Sequence, residues 1–512
     1  MALNVQVLTV LDLCFAVVGL IILRRIFGPK SLPLPPGPKG LPLIGNILDM
    51  PTEKEWETFA QWGDAFGDIC SVTVLGQPLI ILSSAKVAVD LLDKRSSIYS
   101  DRPVLQMGGE LVGWKNTLVL LQYGDRFKRF RKLFHNLIGS HATMRQYFPA
   151  QELEAKKFLR KVLAEPDDLQ AHVRRLAGAV VLRISHGYEV QEHKDDPFVT
   201  LANSATEQFS LATSTGQFMV DCIPALRHVP DWVPGADFKR KAKQWAATLI
   251  ELVEQPHNFV KQQMLAGTAS ISFTSSMLER AADTTVSAIY AFFLAMTLYP
   301  EVARKAQAEI DAVVGNDRLP TFADREHLPY VDAVVKEVFR WNVVTPLAVP
   351  HRATQDDFYD GYFIPKGSLL IPNLWFVMHD PACLTHYAHI PAAGNSRTIR
   401  VYIMIRSSSS PSGFLLIFLQ QKGWGDRWNP ILEKRVSGLE GGMHLADTTV
   451  FACCVTSLAI LDIDKCNENG VVIEPVNDQT SGTISHPKPF KCSIKPRSPK
   501  AVALVQSSDE QF

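Results

Sequence analysis

Apolar residues recur at helical spacing through Gln151–Leu163, Leu169–His186, Phe238–Gln263 and Thr284–Val314, and each stretch predicts an amphipathic or buried helix. Pro300 and Gly315 punctuate the last stretch and mark helix ends. Residues Cys70–Leu82 (CSVTVLGQPLIIL) are rich in β-branched residues and predict two strands around Gly76-Gln77. The pattern is therefore mainly α with a small β region. At the N-terminus, Val5–Leu23 is nearly all apolar, interrupted chiefly by Gln6, Thr9 and Asp12. Nineteen helical residues span roughly 28 Å, about a bilayer core, so this run predicts a transmembrane helix. A buried amphipathic helix is the other reading, because Asp12 weakens the span.

Charge orients that helix. Arg24, Arg25 and Lys30 follow the apolar run rather than precede it, which argues against a cleaved signal peptide and places the rest of the chain in the cytosol. Five prolines then fall in Ser31–Asn46, predicting an extended, semi-rigid spacer. It reads either as a plain linker or as a strut that sets how the following domain sits on the membrane. Net charge is +0, with 52 basic and 52 acidic residues, so no overall basic footprint for nucleic acid exists. The eight cysteines are scattered, with no C-x-x-C pair, which suits free thiols in a reducing compartment rather than a zinc site or disulfide framework.

One region breaks the pattern. From about Leu384 to Glu440 the helical periodicity is lost, and the chain reads RSSSSPSG, FLLIFL and KGWGDRW in turn. A structureless loop of this length inside a compact domain is uncommon.

The most specific motif is Lys336-Glu-Val-Phe-Arg-Trp341, where Glu337 and Arg340 share one helix face. Alone it would be a solvated ion pair. It is followed by Val349-Pro-His-Arg352, Asp356-Asp357 and Gly361-Tyr-Phe-Ile-Pro-Lys-Gly367. In this order the motifs closely resemble the cytochrome P-450 superfamily of haem-thiolate monooxygenases. The resemblance implies that Glu337 and Arg340 form a buried structural pair behind the haem, and that His351 or Arg352 sits near a haem propionate. A second motif, Tyr123–His135, carries five basic residues within Arg126–Lys132. By resemblance Arg131 holds a propionate, as a bidentate guanidinium can, and the other cations form the face that docks an acidic reductase. The family's tryptophan four residues before Arg131 is here Phe127.

A third motif, Ala281-Ala-Asp-Thr-Thr285, resembles the family's oxygen-activating helix. There Asp283 and Thr284 would relay protons, a task that needs a titratable group and a hydroxyl in series. The family's small residue and glycine are Arg280 and Ala281 in this chain, and the helical half expected before them is missing. An ordinary helix start capped by Asp283 or Thr284 is the plainer reading. The letters ADTTV recur at Ala446–Val450, in a context that resembles the helix following the family's haem cysteine.

That cysteine is absent. The family signature F-x-x-G-x-R-x-C-x-G aligns its final glycine with Gly442, which puts Glu440 in the cysteine position. A carboxylate cannot supply the electron push of a thiolate ligand. Cys453 and Cys454 lie 13 and 14 residues further along, roughly 20 Å if helical. The missing helical half before Ala281 and the odd stretch Leu384–Glu440 are expected to be translation defects, such as a skipped coding segment and a retained intron or frameshift. A transcript reading continuously through the odd stretch would refute this.

The resemblance implies a single large haem-enclosing domain at residues 47–512, aberrant over 384–440, behind an anchor at 1–25 and a Pro-rich hinge at 26–46. It further implies haem as cofactor, a small apolar substrate, and electrons from NADPH through a membrane-bound reductase. The setting would be the endoplasmic reticulum membrane, crossed once, with the catalytic domain cytosolic. Segments such as Val220–Leu226 and Trp232–Lys241 look most like fungal microsomal members, which act in secondary metabolism or on xenobiotics. Two other readings stand beside this one. The chain is a catalytically inactive membrane-anchored remnant, or it is a carrier of hydrophobic ligands.

Overall fold

The computed structural model describes residues 32–191, 196–214, 216–266, 279–379, 404–405, 414–415, 440–468 and 470–507. The anchor expected at Val5–Leu23 lies outside them. The principal helices are α1 (Glu55–Phe66), α2 (Gln106–Val112, a wide π-type turn), α3 (Asp125–Ile138), α4 (Phe148–Ala164), α5 (Leu169–His186), α6 (Pro197–Thr213) and α7 (Met219–Cys222). They continue with α8 (Asp237–Leu265), α9 (Glu279–Leu298), α10 (Pro300–Val313), α11 (Pro329–Trp341), α12 (Leu374–His379), α13 (Glu440–Ile460) and α14 (Pro499–Gln506). Strands β1 (Ile69–Val74), β2 (Gln77–Leu82), β6 (Leu369–Pro372) and β3 (His351–Arg352) form a four-stranded sheet in that order. Two-stranded ribbons pair β4 (Asp357–Tyr359) with β5 (Tyr362–Ile364), β7 (Met404–Ile405) with β8 (Phe414–Leu415), β9 (Leu461–Asp464) with β12 (Ser493–Pro496), and β10 (Cys466–Glu468) with β11 (Val471–Ile473).

The core is helical. From Val286 to Met296, α9 is buried at every position, as a helix apolar on all sides must be. It packs with α13, α5, α4 and α11, where Phe292, Phe293 and Phe451 are fully enclosed. Two of the polar side chains carried into this core bond back along their own helix, Thr448 donating to the carbonyl of His444 and Thr449 to that of Leu445, while Ser287 of α9 donates to the Ser485 carbonyl.

The periodicity read as running through Thr284–Val314 is two helices. Tyr299 precedes a proline and leaves the helical region. Pro300 then opens α10, where its missing N–H costs nothing, and the chain turns by 105°. The first helix begins at Glu279, so Asp283 and Thr284 lie inside it and do not cap it. Among the described residues no single helix is long and apolar enough to cross a membrane.

The Pro-rich segment is extended, as expected, but it is not a free spacer. It runs along the outer side of β1 and is bonded both there and, at its start, to β5. The Ser71 N–H donates to the Pro36 carbonyl (2.9 Å), the Ser71 hydroxyl to that of Pro35 (2.6 Å), and the Phe363 N–H to that of Pro33 (2.7 Å). Asn46 closes the segment, since its side-chain oxygen accepts from Thr73 N–H at 3.0 Å. The approach is too close for a side chain at Gly37, where a Cβ would lie 2.0 Å from the Ser71 carbonyl oxygen. Gly37→Ala is therefore expected to lift this segment, at a cost of roughly 1–3 kcal/mol. Limited trypsinolysis would register it as faster cleavage after Lys39.

A second consequence concerns acid stability. α5 ends at Gly187, which takes φ +64 and closes its N–H onto the Arg183 carbonyl. Burial, assisted by the neighbouring His257, pushes the His186 imidazole down to about 4. The folded chain keeps this ring neutral, while the unfolded chain protonates it at the ordinary histidine value. Its contribution is thus complete above about pH 6.5 and fades as pH falls toward 4. Urea unfolding is expected to lose about 2–3 kcal/mol across that window, and His186→Gln to flatten the slope.

Candidate functional site

Glu337 and Arg340 are one turn apart on α11, and the Arg340 guanidinium grips both carboxylate oxygens at 2.8 Å. Glu337 is 6% exposed, so this is a buried, bidentate pair rather than the solvated one that helical spacing alone suggests. The remaining Arg340 nitrogen, Nη1, donates to the Met378 carbonyl at 2.7 Å and ties α11 to α12. There His379 stacks on Trp375 with ring centroids 4.7 Å apart. Burial lowers the His379 pKa below the ordinary histidine value.

A second cluster gathers where β3 meets the residues between Tyr99 and Tyr123. Arg352 is committed to Asp101, whose carboxylate it meets through Nε (3.0 Å) and Nη2 (2.5 Å), and Nη2 also donates to the Gln122 side chain at 2.8 Å. His351 is buried, with Nδ1 2.8 Å from the Tyr99 carbonyl. Beside them Arg102 is only 3% exposed and donates through Nη1 to the carbonyls of Val349 (2.7 Å) and Pro350 (3.2 Å). Arg131, on α3, lies over the Phe127 ring at 5.8 Å. Burial, and then the charge of Arg131, push the Arg102 guanidinium down to about 10. Burial disfavours charge of either sign at Arg102, whereas the repulsion from Arg131 is one that an anion beside the two cations would relieve.

On the outer face of α3, Arg126, Lys128, Arg129 and Lys132 are exposed. None of the four makes an ion pair with another described residue. Arg126 and Lys128 instead rest on the rings of Phe130 and Tyr123. Phe127 points inward, packed with Leu118 and Leu121.

Both ADTTV copies lie within helices, the first in α9 and the second in α13. In the second, Asp447 accepts two bonds from the Arg325 guanidinium (2.7 and 2.9 Å), and its threonines bond back along α13, so it serves architecture. In the first, the backbone of Asp283 and Thr284 belongs to α9, but their side chains lie outside the described set. The Glu440 backbone opens α13, and its side chain too lies outside the described set.

The family profile described as Cytochrome P-450 matches residues 35–386. Over 498 residues the chain is 48% identical to cytochrome P-450 monooxygenase 208 of Postia placenta, covering 93% of each chain. It is 43% identical to cytochrome P-450 monooxygenase claR of Ampulloclitocybe clavipes, covering 98% of this chain and 93% of that one. To cytochrome P-450 monooxygenase CLM2 of Gibberella zeae it is 38% identical, covering 93% and 92%. A mainly helical fold built around α9 and α13, with these motifs and these relatives, belongs to the haem-dependent oxidoreductases. The chain is a member of the cytochrome P-450 family, whose cofactor is haem.

The described residues fit that cofactor on one side only. Arg102 and Arg131 make a cationic cradle suited to propionate carboxylates, with buried His351 beside it. On the iron side none of the buried cysteines fits, while the half-buried Cys222 and Cys466 stand at the end of α7 and the start of β10. Cys453 and Cys454 lie deep inside α13, and Cys70 is buried in β1. Burial pushes the thiols of Cys70, Cys453 and Cys492 up to about 12, against the thiolate form. Cys14 and Cys383 lie outside the described residues. Arg102 escaped the sequence reading altogether. Its one local signal is its place after Asp101 and before Pro103, and its role depends on the residues just before β3, 247 positions away.

Proposed function

We propose that this scaffold serves the haem-dependent insertion of one oxygen atom from O2 into a small apolar organic compound. Electrons would pass from NADPH through a membrane-bound reductase. The observation that carries the reading is the cation cradle of Arg102 and Arg131 lying next to an apolar cluster of Met107, Trp114, Leu120 and Phe209, against which Val349 packs. The exposed basic face of α3 suits an acidic flavoprotein. Asp283 and Thr284 are the proposed proton-relay pair, and Glu337–Arg340 the pair that holds the haem-side framework. The apolar run Val5–Leu23 supports single-pass anchoring in the endoplasmic reticulum membrane with the domain in the cytosol.

The thiol inventory favours a second reading for the chain as translated: a membrane-anchored remnant without the haem-thiolate ligand. The family profile stops at residue 386, where the aberrant stretch begins, and supports it further. The reduced, carbon-monoxide difference spectrum of the full chain, expressed with a haem precursor, separates the two. The expected result is no red-shifted thiolate Soret band. A red-shifted band abolished by Cys383→Ser would overturn the remnant reading and give Cys383 the ligand role.

A further inference from the structure

Helix α14 is clasped by a helix far from it in the chain. Its apolar side is seated through Ala501 and Val505, both buried. The final carbonyls of a helix have no intrahelical donor, and those of α14 find theirs on α4. Arg160 donates through Nε to the Val505 carbonyl at 2.8 Å and through Nη2 to that of Ser507 at 2.9 Å. Lys156 donates to the Ser507 carbonyl at 3.0 Å and to the Ser507 hydroxyl at 3.1 Å. That hydroxyl gives its own proton to the Leu504 carbonyl at 2.8 Å.

The placement of these cations is costly unless they meet negative charge. Lys156 is only 1% exposed, a burial that lysine takes almost exclusively with a partner. Both side chains converge on Ser507, a neutral residue, at a helix end that offers roughly half an elementary negative charge. Ser507 itself is exposed, and the sequence continues Ser508-Asp509-Glu510. A serine with carboxylates two and three positions further on suits a protein kinase whose substrate groove is basic.

We propose that Ser507 is a phosphorylation site, and that its phosphate tightens the clasp of Lys156 and Arg160 on α14. The kinase transfers the γ-phosphoryl group of a nucleoside triphosphate to Ser507 Oγ. The Oγ–H bond breaks, and its proton passes to a base of the kinase. The Oγ–P bond forms as the bond from phosphorus to the β-phosphate oxygen breaks, and the nucleoside diphosphate leaves. The product carries a charge of about −1.5 to −2 and three strong acceptor oxygens. The planar fork of Arg160 suits two such oxygens, and Lys156 Nζ already sits at the oxygen that becomes the ester. Helix dipole and phosphate repel one another at this end, but two cations outweigh half a charge. The bond given up is the neutral one to Leu504, and charge-assisted bonds are roughly twice as strong.

The test uses the full-length chain, casein kinase II as the acid-directed enzyme, and radiolabelled ATP. A single phosphate is expected, retained in Ser508→Ala and abolished in Ser507→Ala. Hydrogen exchange across 499–507, read by mass spectrometry, should then slow roughly tenfold in the phosphorylated chain, with α5 and α9 unchanged. Arg160 is half-buried, so Arg160→Gln leaves the apolar seat of α14 in place. This variant should take up phosphate equally yet lose most of the slowing, and Arg160→Lys should keep part of it. No incorporation, or label that survives Ser507→Ala, overturns the site. Exchange that stays the same or quickens on phosphorylation overturns the clasp, and so does an Arg160→Gln chain that slows as much as the unsubstituted one.

Discussion

Arg325→Leu is expected to lower the unfolding free energy by about 3–5 kcal/mol and to loosen the seat of α13 in the core. Arg325 comes from the turn before α11 and meets three partners at once. It donates to both oxygens of Asp447 (2.7 and 2.9 Å) and to Asp332 (2.9 Å), and its guanidinium lies 4.4 Å over the Phe451 ring. Burial opposes its charge, but the two carboxylates outweigh burial and hold its pKa above the ordinary value. Leucine would fill part of the volume yet strand the Asp447 carboxylate, whereas Asp332 would keep Lys336 at 2.7 Å. Urea unfolding followed by circular dichroism measures the loss. Adding Asp447→Asn to Arg325→Leu should recover part of it, because the stranded charge is then gone. A loss below about 1 kcal/mol would show the network to be no more than a surface pair.

Arg340→Lys is the second large effect, and it tests geometry rather than charge. A lysine keeps the cation but is a single point donor, so it cannot meet both Glu337 oxygens and the Met378 carbonyl together. The expected loss is about 2–3 kcal/mol. Faster hydrogen exchange in 374–379, where α12 hangs on that third bond, should accompany it. Arg340→Leu should cost more, since it leaves the Glu337 carboxylate buried with no cation. If lysine proved equivalent to arginine, the bidentate grip would carry no stability of its own.

What the sequence made legible was local. The turn at Gly76 falls where the alternation of Cys70–Leu82 puts it, with Gly76 at φ +86. α5 spans Leu169–His186 as its periodicity predicts. The Glu337–Arg340 pair was readable because three residues of helix set its spacing. The Tyr299–Pro300 break was marked by its proline, yet the apolar pattern runs through it on both sides. Contacts between distant segments left no such trace. Arg352 reaches Asp101 across 251 residues, and Arg325 reaches Asp447 across 122. Nothing in either sequence neighbourhood announces the other. The second ADTTV copy makes the same point, because its Asp447 takes its work from an arginine that the fold brings from 122 residues away.

The proline-clad flank of β1 bears on how this chain survives synthesis. β1 is the outermost strand of its sheet, and an uncovered sheet edge is a template on which other chains can add strands. Prolines at 33, 35, 36 and 38 carry no N–H, so the segment that covers β1 offers few donors for a further strand. It works as a self-terminating seal. A version of this protein trimmed for solubility should therefore keep its chain from Leu32 onward, because a cut a few residues later would remove the apolar run Val5–Leu23 and also expose the edge that aggregates.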